Sequence, residues 1–297
     1  MLWFKCSEII PGVSIGIAFL AVCVSAILFY LDLEVPKDKD RICVMAEAAE
    51  SNLEEYKKKN MNAFVVGYTG EVGKALVKHL AQVKPFQKVY LLGRREVTLD
   101  VEDPSYFEQK SVDFEKLEES SDLFKGIGVG FCALGTTKAK AGAKGFVQVD
   151  HDFVVKTAEV AKAAGCEHFN LVSSQGADKN SSFLYTKTKG QAEEAIKAMA
   201  YQRYSIFRPG VLLCDRQESR AGESFVRFLL KPVAALFPTA ISTPVDVLVK
   251  AMINNVIATP DKAKDFELYE NKAIHMLGGN LKSSCSEKTK VDSAPEK

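Results

Sequence analysis

Tyr185 and Lys189 stand four residues apart in the run Tyr185-Thr-Lys-Thr-Lys189. On a helix that spacing puts both side chains on one face. A phenol with an ordinary pKa of about 10 is too weak a base at neutral pH. An ammonium one turn away favours the phenolate and lowers that pKa. The pair suits proton transfer, with Tyr185 as general acid or base and Lys189 as its tuner and as a donor to a ribose hydroxyl. Ser173 and Ser174 close the apolar run upstream. The hydroxyl of Ser174 is the candidate to hold a substrate carbonyl, with Ser173 as the alternative. Alone, Tyr-x-x-x-Lys is an ordinary surface-helix pattern, and its weight comes from what precedes it.

What precedes it is a second motif, Gly67-Tyr-Thr-Gly70-Glu-Val-Gly73, directly after the apolar residues 63–66. A glycine triplet between a strand and a helix is the signature of a dinucleotide pyrophosphate site. Gly67 permits the tight turn, Gly70 lets backbone approach the phosphates, and Gly73 lets the helix pack on the strand. Thr69 offers a hydroxyl to phosphate, and the amides at the helix start supply the rest. At the end of the next strand an NAD site requires an acid for the ribose hydroxyls. This chain has Gly93-Arg94-Arg95 instead, and two guanidinium groups match a 2′-phosphate. The expected cofactor is therefore NADPH. Asp113 and Phe114 are expected beside its adenine, and Leu134 and Gly135 beside its ribose. Four histidines, His79, His151, His168 and His275, show no metal-ligand spacing, so no metal is expected.

The elements that must position these residues alternate. Strands are predicted at 63–66, 88–92, a third ending at 112–114, 129–134, 168–173 and 204–207. Helices are predicted at 72–83, 150–164 and 185–199. This order implies an α/β fold, a Rossmann-type doubly wound parallel sheet. Residues 215–275, interrupted by Pro232, Pro238 and Pro244, are expected to form a small C-terminal cap. The nucleotide-binding domain with that cap covers 61–277, and a disordered tail covers 278–297.

Of the 297 residues, 47% are hydrophobic and 26% charged, and the net charge is +1. That gives no single-signed field to recruit nucleic acid. Residues 9–31 form a run of 23 without a charge. As a helix the run would be roughly 35 Å long, enough to cross a bilayer core of about 30 Å. A cleaved signal peptide and a buried core helix are the alternatives. The preferred reading is a single N-terminal transmembrane anchor over 1–31, followed by a polar linker and exposed helix over 32–60. Lys37, Lys39 and Arg41 after the span place the catalytic body in the cytoplasm. Without the anchor the chain would be cytoplasmic, with the nuclear envelope as a further location. Seven cysteines without a CxxC spacing read as reduced thiols.

The glycine motif, the Ser-Ser pair and Tyr-x-x-x-Lys, in this order, resemble the extended or atypical short-chain dehydrogenase/reductase family. Gly93-Arg-Arg95 and the segments 132–150, 168–185, 203–220 and 270–275 resemble a regulatory oxidoreductase branch of it, over roughly 45–277. The resemblance implies NADPH held by Thr69, Gly70, Val72, Gly73, Arg94, Arg95, Leu134, Gly135, Tyr185, Lys189, Leu212 and Arg220. It implies Leu212 backbone at the nicotinamide amide and Arg220 over the phosphates. It also implies an NADPH-bound form that meets nuclear transport receptors, with effects on transcription, apoptosis and tumour suppression. Two functions follow as expectations: reduction of an unidentified small carbonyl substrate, or cofactor sensing with vestigial chemistry.

Overall fold

The computed structural model describes residue 36 and residues 38–213, 241–259 and 266–279. Among the described residues, two helices, α1 (Lys39–Glu47) and α2 (Ala49–Lys57), precede the first strand. Then follow β1 (Asn62–Val66), α3 (Glu71–Val83), β2 (Lys88–Gly93), β3 (Phe107–Ser111), β4 (Ile127–Cys132), α4 (Lys138–Val147), α5 (Phe153–Ala163), β5 (His168–Val172), α6 (Leu184–Ala198) and β6 (Arg203–Arg208). The chain continues through β7 (Val211–Leu213), β8 (Ser242–Pro244), α7 (Val245–Ile257), β9 (Glu267–Glu270) and α8 (Asn271–Leu277).

Seven strands pair in the order β3-β2-β1-β4-β5-β6-β9, and every pairing is parallel. The doubly wound sheet is therefore present. Its order reverses between β1 and β4, which opens a crevice at their carboxyl ends where ligands of such sheets bind. Side chains alternate across the sheet. Ala63 and Val65 of β1 join Leu76, Leu80, Leu248 and Met252 in one core layer. Phe64 and Val66 join Phe169, Ala158 and Ile196 in the other.

Three segments differ from expectation. First, α1 and α2 are docked on the domain rather than exposed. Ile42, Met45, Ala49 and Tyr56 are buried in the first core layer, and their spacing of three, four and seven makes one apolar stripe that the surrounding charges conceal. Second, residues 266–275, expected in a cap, extend the main sheet: β9 pairs with β6, and α8 is buried in the core. Segment 214–240 of that cap and the tail beyond 279 lie outside the described residues. Third, the membrane anchor must be corrected. Among the described residues no helix is long and apolar enough to cross a membrane. The longest, α6 with 15 residues, extends about 22 Å, short of the roughly 30 Å required. The run 9–31 lies outside the described residues. The thiol expectation also shifts, since Cys43 is disulfide-bonded, whereas Cys132 and Cys166 are free and buried.

A buried polar network locks the amino ends of β5, β6 and β9. Ser205 donates to Glu267 at 2.8 Å and accepts from Asn255 at 2.8 Å. His168 Nε2 lies 2.9 Å from the same hydroxyl, and because that hydroxyl donates to Glu267, the imidazole is the donor. Arg203 pairs with Glu267 at 3.0 Å. Burial, and then the Arg203 charge, hold the His168 pKa well below its ordinary 6.5. The unfolded chain thus binds a proton that the native chain refuses. Stability is expected to fall as pH drops below 6.5, by at most about 1.4 kcal/mol per pH unit from this group. Thermal or urea denaturation between pH 5 and 7 should show a shallower slope for His168→Gln; an unchanged slope would refute the assignment.

Candidate active site

The turn between β1 and α3 is held by close backbone contact. Gly67 has φ +80°, and a Cβ there would collide with the carbonyl of Ala133 beyond β4. A Cβ on Gly73 would collide with the Gly67 carbonyl. Gly70 differs. It is exposed, its backbone is extended with φ −80° and ψ 171°, and a Cβ would find only the Gly67 carbonyl, at 3.4 Å. The protein itself therefore leaves room for a side chain at Gly70, and the open face above it fits a ligand resting on the amides of the first turn of α3. Thr69 is exposed beside it, whereas the Val72 side chain is buried and can offer only its amide.

A buried tyrosine that sequence reasoning passed over ties this turn to the arginine pair. Tyr68, inside the glycine motif, is 2% exposed and donates to the Arg95 carbonyl at 2.7 Å. The Arg94 carbonyl accepts from Ser111 at 3.2 Å. Gln109 binds both the amide and the carbonyl of Val97 at 2.9 Å. With its carbonyls held inward, the turn after β2 presents the side chains of Arg94 and Arg95 outward, and both residues are exposed. Phe114, expected at an adenine, is buried and stacked on Phe153 at 5.5 Å. Asp113 caps the following 3-10 turn through the Glu115 amide.

At the carboxyl end of β5 the two serines separate. Ser173 is buried and donates to Glu193, whose carboxylate also binds Arg208 at 2.6 and 3.0 Å. Ser174 is half-buried, and its hydroxyl makes one bond of 3.2 Å to the Gln175 carbonyl. Of the pair, Ser174 is the one able to face a substrate. Tyr185 lies in the first turn of α6, 47% exposed, with its ring stacked on the buried Phe146 at 5.7 Å and 26°.

One turn on, Lys189 is only 7% exposed, and its ammonium lies 2.8 Å from Asp150 Oδ1. Asp150, 1% exposed, accepts the Thr136 amide on its other oxygen at 2.8 Å. Burial alone would lower the Lys189 pKa, but the Asp150 charge reverses that and the pKa lies above its ordinary 10.5. Sequence reasoning missed Asp150. It sits in a π-turn (Gln148–Asp152) between α4 and α5, and such bulges re-aim one residue of a helix. A Cβ on the exposed Gly135 would lie 3.5 Å from the Asp150 carboxylate and 3.9 Å from the Lys189 ammonium. The segment after β4 thus passes directly over the buried pair, with Leu134 half-buried below it. Leu212 is half-buried on β7, opposite Thr243 of β8. Arg220 lies outside the described residues.

A family model described as NAD(P)H-binding matches residues 67–225. Protein HTATIP2 of Rattus norvegicus is 49% identical over 225 residues, covering 76% of this chain and 92% of that one. A fungal relative, mitochondrial protein FMP52 of Eremothecium gossypii, is 38% identical over 165 residues, covering 54% of this chain and 71% of its own. Among solved structures, MoeE5 in complex with UDP-glucose and NAD superposes with a TM-score of 0.53 at 17% identity, over 70% of this chain and 75% of that one. UDP-glucuronic acid 4-epimerase from Bacillus cereus, in complex with NAD, gives 0.54 at 14%, over 71% and 78%. At such identities the last two show the fold alone.

The glycines yield a paired prediction. Gly70→Ala should keep native stability within about 0.5 kcal/mol, because surface changes with room cost little, yet weaken dinucleotide binding tenfold or more. Gly73→Ala should lower the melting temperature sharply, because backbone must move. Calorimetry and thermal scans on both variants decide this; equal effects from the two would refute it.

Proposed function

The chain belongs to the NAD(P)H-binding, atypical short-chain dehydrogenase/reductase family, and on that premise we propose that it is an NADPH-dependent reductase of a carbonyl substrate. The observation that carries this reading is the constellation of Tyr185, Ser174 and Lys189 at the carboxyl edge of the sheet, beside the crevice between β1 and β4. NADPH, when bound, supplies the hydride. Thr69, Gly70 and the first amides of α3 would hold its pyrophosphate. Arg94 and Arg95 would hold the 2′-phosphate, and Gly135 would pass close to its ribose.

The protein's own groups handle the oxygen. Ser174 donates a hydrogen bond to the carbonyl and orients it. The Tyr185 hydroxyl, accessible and held by Phe146, gives its proton to the same oxygen as charge develops there. The Lys189 ammonium favours the phenolate left behind. Preference for NADPH is supported by the two outward arginines and by the lack of an acid at 93–95, since a carboxylate there would repel a 2′-phosphate.

Titration of the full-length chain with NADPH and NADH tests the cofactor. NADPH should bind at least tenfold more tightly, and Arg94→Ala with Arg95→Ala should erase the difference while leaving NADH unchanged. Equal affinities in the wild type would refute the preference. In a carbonyl substrate screen Tyr185→Phe should lower kcat by a hundredfold or more, the usual reach of general-acid catalysis. Unchanged turnover would end the reductase reading and turn attention to cofactor-dependent partner binding.

A further inference from the structure

We propose that Asp150 is a positioning residue for this site, holding the Lys189 ammonium charged and aimed from beneath the cofactor crevice. The proposal rests on Lys189 facing the cofactor as above, and it adds a residue that the Tyr-x-x-x-Lys pattern does not contain.

The argument begins with burial. A lysine that is only 7% exposed has lost most of the water around its ammonium, and without a counter-charge burial would make its proton easier to lose. Three titratable groups face it: Tyr185 from its own helix, Cys132 from the end of β4, and Asp150 from the π-turn. Burial pushes the Cys132 thiol up to about 12, so it carries no charge at working pH. Tyr185 must be a neutral phenol to donate a proton. Among the described residues, Asp150 is then the lasting negative charge beside Lys189, at 2.8 Å.

Geometry adds a second role. The two carboxylate oxygens of Asp150 serve different partners, Lys189 on one and the Thr136 amide on the other. The backbone after β4 and the lysine on α6 are thereby fixed relative to each other across the carboxylate. A carboxylate holding only the loop would not need its charge, because an asparagine oxygen accepts the same amide. That difference separates positioning of Lys189 from simple structural support.

The test is the NADPH dissociation constant of the full-length chain from pH 7 to 9.5, for wild type and Asp150→Asn. Wild type should change less than about twofold. The variant should match it near pH 7 and weaken about tenfold per pH unit once Lys189 loses its proton. A variant profile parallel to the wild type would overturn the role of Asp150 while leaving the NADPH reading intact. Wild type that fails to bind NADPH would overturn both. If Asp150→Asn does not fold, Asp150→Asn with Lys189→Met is measured by thermal denaturation. Recovery of the melting temperature supports charge compensation, and a double variant no more stable than the single one overturns it.

Discussion

Where β1 passes into α3, the backbone of Gly67 lies directly against Ala133 beyond β4, and its carbonyl lies against Gly73 on α3. Neither contact leaves volume for a methyl group. The Ala133 amide extends the pairing by binding the Val66 carbonyl at 3.0 Å, so both strands are held together up to the point where they diverge. The crevice between them begins there, and each site element is referred to it. The arginine turn hangs from Tyr68, which belongs to the same motif. The Lys189–Asp150 pair hangs from Thr136, three residues beyond Ala133.

The second organising force is a buried charge. An ion pair shut away from water returns little net stability against an apolar replacement, while removal of one partner is costly. Asp150 and Lys189 are therefore better explained by what they hold in place than by what they contribute to folding. Arg208, Glu193 and Ser173 make the contrasting case. There the carboxylate, carried on α6, binds Ser173 beyond β5 and Arg208 at the end of β6, which leaves the Ser173 hydroxyl engaged.

Much of this was legible in the sequence. Strand–helix alternation and the glycine spacing marked the parallel sheet and its crevice, because local periodicity and a tight turn are written in consecutive residues. The arginine pair was legible for the same reason. Asp150 was not, since its burial depends on a π-turn that no spacing rule signals and on a partner 39 residues away. Tyr68 was hidden as an unremarked x position of the glycine motif. The docked α1 and α2 read as a polar linker and an exposed helix because charge masks a stripe of four apolar residues. Residues 266–275 read as a cap because a four-residue edge strand has too little pattern to reveal its partner.

The two ends of the sheet use polar residues in opposite ways. At the amino ends, His168, Ser205, Asn255, Arg203, Tyr269 and Glu267 bind one another in a closed network, and His168 is kept neutral. A serine beside a histidine and a glutamate there has no route to solvent, and the serine donates to the glutamate, so the arrangement is structural. At the carboxyl ends, Arg94, Arg95, Thr69 and Tyr185 are exposed, while the groups behind them, Tyr68, Asp150 and Phe146, are buried and engaged. Backbone held from behind with side chains open in front favours binding, because less order has to be imposed when a ligand arrives. That asymmetry, more than any one residue, is what makes the edge where β1 and β4 part the candidate site.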